Sequence, residues 1–438
     1  MQLLENFNNF IWIMAAVIIL ISGIYFSLNL KFIQFKFKKM FRSLNKDAKM
    51  NNSITPKKAL MMVLAGRVGV GSISGVALAI YTGGVGSIFW MWITTIFAIT
   101  NSFGETVLGI KYKEKDEGNI YKGGPSYYIK NGLRNKSLAI IYAILIIICY
   151  VGGFLSIQAN TITKAVLEFI DLDVMIIAII LSLAVLIIIF GGVKKISDVT
   201  SKLVPIMIIL YLFFGTLILI INYEQIPEML FTIVKSAFSL EAAVGGFLGT
   251  FLIGLQRGVF SNEAGMGTGS IASSIVDSEA AAEQGYIQML GVYITTMLIC
   301  TATAIIIMTS DYQNLKILDI NGIEITQYAF KYHLGNFGNI IVFISIIMFA
   351  FSTILTGYYY SESSLKAIFD DVSSKKVLLL KTLIIVVVFL GCLISANLLW
   401  LIVDIFSAIL VIINVYSLLK LRKEIKEEYN KSELCDKI

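Results

Sequence analysis

The residues with the most chemistry in them are glycines and their small polar neighbours, gathered into two runs. One is Gly66-Arg67-Val68-Gly69-Val70-Gly71-Ser72-Ile73-Ser74-Gly75. The other is Gly258-Val259-Phe260-Ser261-Asn262-Glu263-Ala264-Gly265-Met266-Gly267-Thr268-Gly269. Each interrupts a long apolar block. A helix broken there releases N–H and C=O groups, tolerable at membrane depth only around protein or a water-filled cavity. Freed N–H groups at a half-helix N-terminus suit a carboxylate, and freed carbonyls suit a small cation. Small-residue helix packing is the competing reading. Two dense runs, each opening a set of five spans, favour the cavity. A dinucleotide reading of Gly66-x-x-Gly69-x-Gly71 fails, because no βαβ unit and following acid accompany it.

Catalytic constellations are missing. Cys149, Cys300, Cys392 and Cys435 lie far apart without a CxxC or Cys/His pair, and His333 is the only histidine. No HExxH, GxSxG elbow or facing Asp pair occurs, so an intramembrane enzyme is not expected. Gln158, in a polar stretch with Asn160, reads equally as an interhelical hydrogen bond or a ligand group. Consecutive Ser352-Thr353 most often bonds back to the i−4 carbonyl, unless it stands opposite a broken helix. Arg67, Glu105, Arg257, Glu263, Glu362 and Asp404 fall within or at the ends of apolar blocks. Each costs on the order of 3 kcal/mol in hydrocarbon, so each is expected to face protein or a water-filled pathway. Gate or structural ion pairs are the expected role, ahead of direct ligation.

These groups must be positioned by membrane helices. Of 438 residues, 57% are hydrophobic and 15% charged, against about 45–50% and about 25% in soluble domains. The excess is gathered into blocks near the ~20 residues that span a bilayer. That excludes a soluble enzyme, a nucleic-acid binder, a disordered chain and a secreted disulfide scaffold. Eleven blocks are legible, at 11–30, 59–82, 85–110, 137–168, 174–191, 203–222, 243–273, 285–308, 337–369, 377–396 and 397–421. The fold expected is all-α and polytopic, with eleven transmembrane helices. The first is not expected to be a cleaved signal, since it lacks a basic n-region and Glu5 precedes it.

Loop charge orients the set. Residues 31–58 hold nine Lys/Arg against Asp47 alone, and Lys-rich connections follow the third, fifth, ninth and last blocks. The connections at 169–173 and 222–241 are acidic or neutral. One alternation fits: N-terminus outside, C-terminus cytoplasmic, in the cell membrane. The loop with Asp277, Glu279 and Glu283 is the exception. The organisation expected is 1–58 as an extra helix and basic loop, 59–222 and 243–421 as two five-helix repeats, and 422–438 as a charged cytoplasmic tail. Five being odd, the repeats are inverted, each opening on a discontinuous helix.

At LAGRVGVGSISGVALAI (64–80), GGVGSIFWMW (83–92), KGGPSYYIKNGL (122–133), RGVFSNEAGMG (257–267) and FAFSTIL (349–355), the chain resembles the alanine or glycine:cation symporter family. That family lies within the amino acid–polyamine–organocation superfamily and shares the leucine-transporter fold. The resemblance covers essentially the whole chain. It implies that Gly69, Val70, Gly71 and Ser72 present main-chain amides to a substrate carboxylate. Phe260, Ser261 and Asn262 would form the second wall, and Gln158 a polar contact. A sodium ion would lie between the carbonyls of Gly66 and Val68 and the hydroxyls of Ser352 and Thr353.

The chain also departs from the family pattern. Gly69-Val70-Gly71-Ser72 stands where members read Gly-Thr-Gly-Asn, which puts a second cation site in doubt. Thr268-Gly269-Ser270 stands where they read Ser-Ala-Pro. Gly357 stands where they carry Trp, which is expected to enlarge the pocket. The function expected is sodium-coupled import of a small neutral amino acid of the alanine/glycine class, or a larger one such as glutamine, by alternating access. Alternatives are a proton-coupled transporter and a transport-deficient amino-acid sensor. Partners expected are the amino acid, sodium and the bilayer, with no nucleic acid, no protein partner and no cofactor beyond the coupling cation.

Overall fold

The computed structural model describes residues 2–45, 54–115, 120–239, 246–277, 280–312, 320, 322–369 and 372–435. Lys46, Asp47, Lys49, Glu279 and the side chain of Cys435 lie outside the described residues.

Helix α1 (Gln2–Asn29) turns through Lys31 and Phe32, both left-handed, into the short α2 (Phe37–Asn45). The block at 59–82 is two helices, α3 (Pro56–Arg67) and α4 (Ser74–Gly83), joined by a 3-10 turn at Val70–Ser72. Thr55 caps α3 by accepting from the Lys58 N–H, and Pro56 fits its first turn. After α5 (Gly86–Lys111), a two-stranded hairpin of β1 (Glu114–Lys115) and β2 (Tyr121–Lys122) precedes α6 (Pro125–Asn131). Helices α7 (Lys136–Cys149) and α8 (Leu155–Phe169) run on through a π-helical stretch at Tyr150–Phe154. Then come α9 (Val174–Ile189), α10 (Gly192–Ile221) and α11 (Ile226–Ala237).

The block at 243–273 is again two helices, α12 (Gly246–Asn262) and α13 (Thr268–Ser273). Helices α14 (Ala281–Val292) and α15 (Thr301–Met308) are joined by a π-helical stretch at Tyr293–Cys300. Helix α16 (Ile323–Ile368) kinks at Gly335, whose φ of 61° only glycine adopts readily. It is followed by α17 (Ser374–Gly391), α18 (Ala396–Lys420) and the polar α19 (Arg422–Cys435).

A helix or helix pair therefore stands at each apolar block. Among the described residues, seven helices are long and apolar enough on their own to cross a membrane. The others are short, like α9, broken, or lysine-bearing at one end, like α17. Helix α4 packs on α12, α5 on α14, α8 on α16, and α9 on α17. The helices meeting at this centre carry an unusual polar load. Helix α5 buries Thr94, Thr95, Asn101, Ser102 and Glu105, whereas α9 and α10 expose rows of Ile, Leu and Phe. Apolar side chains facing outward and polar ones facing inward are what lipid outside and a built site inside require.

Candidate functional site

The first break leaves the helical path at Val68 (ψ 70°) and Gly69 (φ −116°, ψ −156°). Val70 N–H donates to Gln158 Oε1 at 3.2 Å, while the Ser72 and Ile73 amides donate to the Gly69 and Val70 carbonyls. Among the described residues, the N–H groups of Gly69 and Gly71 donate to no protein acceptor. A Cβ on Gly71 would stand 2.6 Å from the Phe260 ring, and one on Gly69 would collide with the Thr353 hydroxyl. Both positions allow main chain to touch what lies opposite.

The second break is built differently. Glu263 (φ 55°), Gly265 (96°) and Gly267 (90°) all take left-handed backbone. A bulky non-glycine residue there costs on the order of 1 kcal/mol and must be held by its surroundings. Glu263 is held on both oxygens, by Tyr150 at 2.5 Å and Thr268 at 2.8 Å. Gly265 N–H donates to Glu105 Oε1 at 2.8 Å, and Asn414 bridges that carboxylate and the Gly265 carbonyl. Asn262 donates to Thr95 and Thr296 at 3.1 and 3.0 Å and accepts from Ala264 N–H at 2.9 Å. Protein side chains thus satisfy this break from within. The two breaks meet through the Ser72 and Ser261 hydroxyls, 2.9 Å apart, and Thr303 of α15 donates to the Ser72 carbonyl.

Opposite the first break, the hydroxyls of Ser352 and Thr353 converge on one oxygen. Both donate to the Ala65 carbonyl, at 3.3 and 2.9 Å, and both bond back to Phe349. Ala65 is one residue before the expected Gly66, whose α-carbon instead faces the Tyr360 hydroxyl and Thr356. The carbonyl is available because Gly69, the residue four ahead, has already left the helix. Sequence reasoning missed it, since an alanine in unbroken helix gives no signal.

An aromatic column closes one side. Phe260 stacks on Phe154 at 4.6 Å, Phe154 stacks on Tyr150 at 4.6 Å, and Trp400 leans on Phe260 at 4.6 Å. Neither Phe154 nor Trp400 belonged to any pattern visible in the sequence. Gly357 lies behind this column. A side chain there would meet Leu155 at 2.8 Å and Tyr150 at 2.9 Å, so the position packs closely against these two residues. Asn160 also points away, donating to the Ile394 carbonyl at 2.7 Å.

The buried charges resolve into pairs and braces. Arg257 meets Asp404 at 2.5 Å and lies over the Trp400 ring. Glu362, only partly buried, pairs with Lys366 at 2.9 Å. Arg67, which is 1% exposed, donates to the Gln288 carbonyl at 2.9 Å and to Ser102 at 3.0 Å. Glu263 and Glu105 lie within its field. That ties the end of α3 to α5, to α14 and to the second break.

The site thus offers two free amides beside a hydroxyl-carbonyl cluster, walled by aromatic rings. That set can hold a carboxylate and a small hard cation side by side. Comparison with known proteins identifies the family. The model of the sodium:alanine symporter family matches residues 1–436. The amino-acid carrier protein AlsT of Bacillus subtilis (strain 168) is 36% identical over 410 residues, covering 93% of this chain and 87% of its own. The probable sodium/glutamine symporter GlnT of the same organism is 36% identical over 431 residues, covering 96% and 89%. A solved Na+-coupled sialic acid symporter in a substrate-bound outward-open state shares the fold, with a TM-score of 0.51 at 13% identity over 92% of this chain and 81% of its own. This chain is a multi-pass membrane transporter, not an enzyme, and belongs to the sodium:alanine symporter family.

Proposed function

We propose that the chain imports a small neutral amino acid together with sodium by alternating access. The observation that carries this reading is the pair of unpartnered Gly69 and Gly71 amides beside the Ala65 carbonyl, on which Ser352 and Thr353 converge. The substrate carboxylate binds the two amides, assisted by Ser72 and by the Val70–Gln158 contact. Phe260 and Ser261 form the facing wall, and Asn262 holds that wall in place. Sodium takes the Ala65 carbonyl, the Val68 carbonyl and both hydroxyls, with Gly66 supplying the close approach. Alanine or glycine is the primary substrate class. Glutamine is the specific alternative, on the strength of the relative named as a probable sodium/glutamine symporter.

Five spans from α3 to α10 and five spans from α12 to α18 form the inverted repeat, with eleven crossings, the N-terminus outside and the C-terminus cytoplasmic. The packing of corresponding helices on one another supports it. Rocking of one bundle against the other exposes the midplane site to each side in turn. Uptake of labelled alanine into proteoliposomes tests this. A sodium gradient drives accumulation in wild type, while Ser352→Ala/Thr353→Ala folds and inserts but accumulates nothing, because two of about five oxygens are lost from a dehydrated cation. Uptake that ignores sodium, or a double variant that keeps its sodium dependence, refutes the assignment.

A further inference from the structure

The segment between α1 and the first break carries a surface that the transport site does not use. Residues 30–45 hold Lys31, Lys36, Lys38, Lys39 and Arg42 and no acid. Two consecutive left-handed residues, Lys31 (φ 53°) and Phe32 (φ 52°), turn the chain sharply out of α1. Phenylalanine is a true outlier there, so the turn must be held. It is held from within: Ile33 and Met40 are fully buried, Tyr293 donates to the Gln34 carbonyl at 2.7 Å, and Phe37 packs on the Tyr293 ring at 5.0 Å.

At 100° per residue, α2 shows three faces. Met40 and Ser43 face protein. Phe37 and Phe41 form a second, apolar face, 42% and 54% exposed, continued by Phe32 and Phe35 at 53% and 54%. Lys38 and Arg42 make a third, exposed face. Lys36 and Lys39 are drawn to the other side, where Lys36 meets Glu433 at 3.0 Å and Lys39 also meets Glu433.

We propose that this segment is an interfacial helix that binds anionic phospholipid of the leaflet on its own side of the membrane. Exposed phenylalanines beside an all-basic face fit an acyl–headgroup boundary with negative headgroups. A second copy of the chain fits poorly, since it would bring the exposed Lys31 and Lys38 of one copy against those of the other. The lipid contact has a structural route to the transport core. Tyr293, against which α2 packs, opens the π-helical stretch whose Thr296 holds Asn262. The proposal does not depend on which cation drives transport.

Hydrogen–deuterium exchange on the full chain in vesicles tests it. Phosphatidylcholine alone is compared with phosphatidylcholine containing phosphatidylglycerol, in wild type and in Lys31→Gln/Lys38→Gln. Phosphatidylglycerol is expected to slow exchange across 31–45 in wild type. Loss of two surface lysines weakens association about thirtyfold, so the double variant should show no slowing while α19 exchanges as before. Phe37→Ser/Phe41→Ser, which keeps every charge, should lose the slowing as well. Equal exchange of wild type in both vesicles overturns the proposal, as does slowing retained in the lysine variant. Protection in phosphatidylcholine that grows with protein density would assign the surface to a second copy and overturn it too.

Discussion

Replacing Gly71 by alanine adds one methyl group between the first break and the Phe260 ring. That carbon would sit 2.6 and 2.8 Å from two ring atoms and 3.2 Å from the Ser261 α-carbon. Carbons pack at about 3.5–4.0 Å, so the ring must retreat by about 1 Å. It has nowhere easy to go, since Phe154 stacks on one side at 4.6 Å and Trp400 leans on it at 4.6 Å. Overpacking of this kind costs about 1–3 kcal/mol, or roughly 5- to 150-fold in an equilibrium constant. Gly75 supplies the control. It lies one turn on, inside α4, where an added Cβ meets the Phe260 and Trp400 rings only at 4.0 Å. Alanine there relieves a helical glycine, a gain of about 0.5–1 kcal/mol. Equilibrium binding of labelled alanine and a thermal melt on both variants check the reasoning. Gly71→Ala should bind at least fivefold more weakly and melt lower, while Gly75→Ala binds normally and melts higher. Normal binding by Gly71→Ala beside a defective Gly75→Ala would refute the placement of Phe260 over the break.

Three further outcomes follow from the geometry. Gly357→Trp should lower the melting temperature without narrowing substrate choice, because the indole would drive into Tyr150 and Leu155; a stable variant restricted to glycine and alanine would contradict this. Arg257→Ala and Asp404→Ala should each cost about 3–5 kcal/mol, and the double variant less than their sum, because either single change leaves a buried charge alone; additive losses in melts would deny the coupling. Glu433 is partly buried, which opposes its charge, but Lys39 and Lys36 outweigh that and hold its carboxyl below the ordinary value of 4.5. A depressed carboxyl stabilises above its unfolded pKa and loses that contribution as pH falls through the folded one. Exchange protection of α19 should therefore be flat from neutral pH down to about 5 and fall only below 4.5, a fall that Glu433→Gln should abolish.

Much of the fold was legible because apolar length and glycine density are local signals. Every block read from the sequence carries helix, and both interruptions fall inside the glycine runs. What the sequence hid is register. Gly66 invites a break but stays helical, and the turn comes two residues later, which makes Ala65 the shared carbonyl. At the second break the first left-handed residue is Glu263 and not a glycine, because Tyr150 and Thr268 hold its carboxylate. Gly357 shows the same limit. Its neighbours on α16 face the site, but its own azimuth faces Tyr150, which only the packed bundle decides. Ser352 and Thr353 bond back to Phe349 and also reach Ala65, a long-range contact that the local pattern alone does not reveal.

In the proposed mechanism cation and amino acid share the first break, each fixing the backbone that the other needs. Linkage makes this measurable: sodium must raise amino-acid affinity by the same factor by which the amino acid raises sodium affinity. Equilibrium binding of labelled alanine across a sodium series, and of labelled sodium across an alanine series, on purified protein, gives both factors. Equal enhancements of about 5- to 150-fold, typical of a coupling of about 1–3 kcal/mol, are what a shared break requires. Alanine binding that stays constant from zero to saturating sodium would contradict the account.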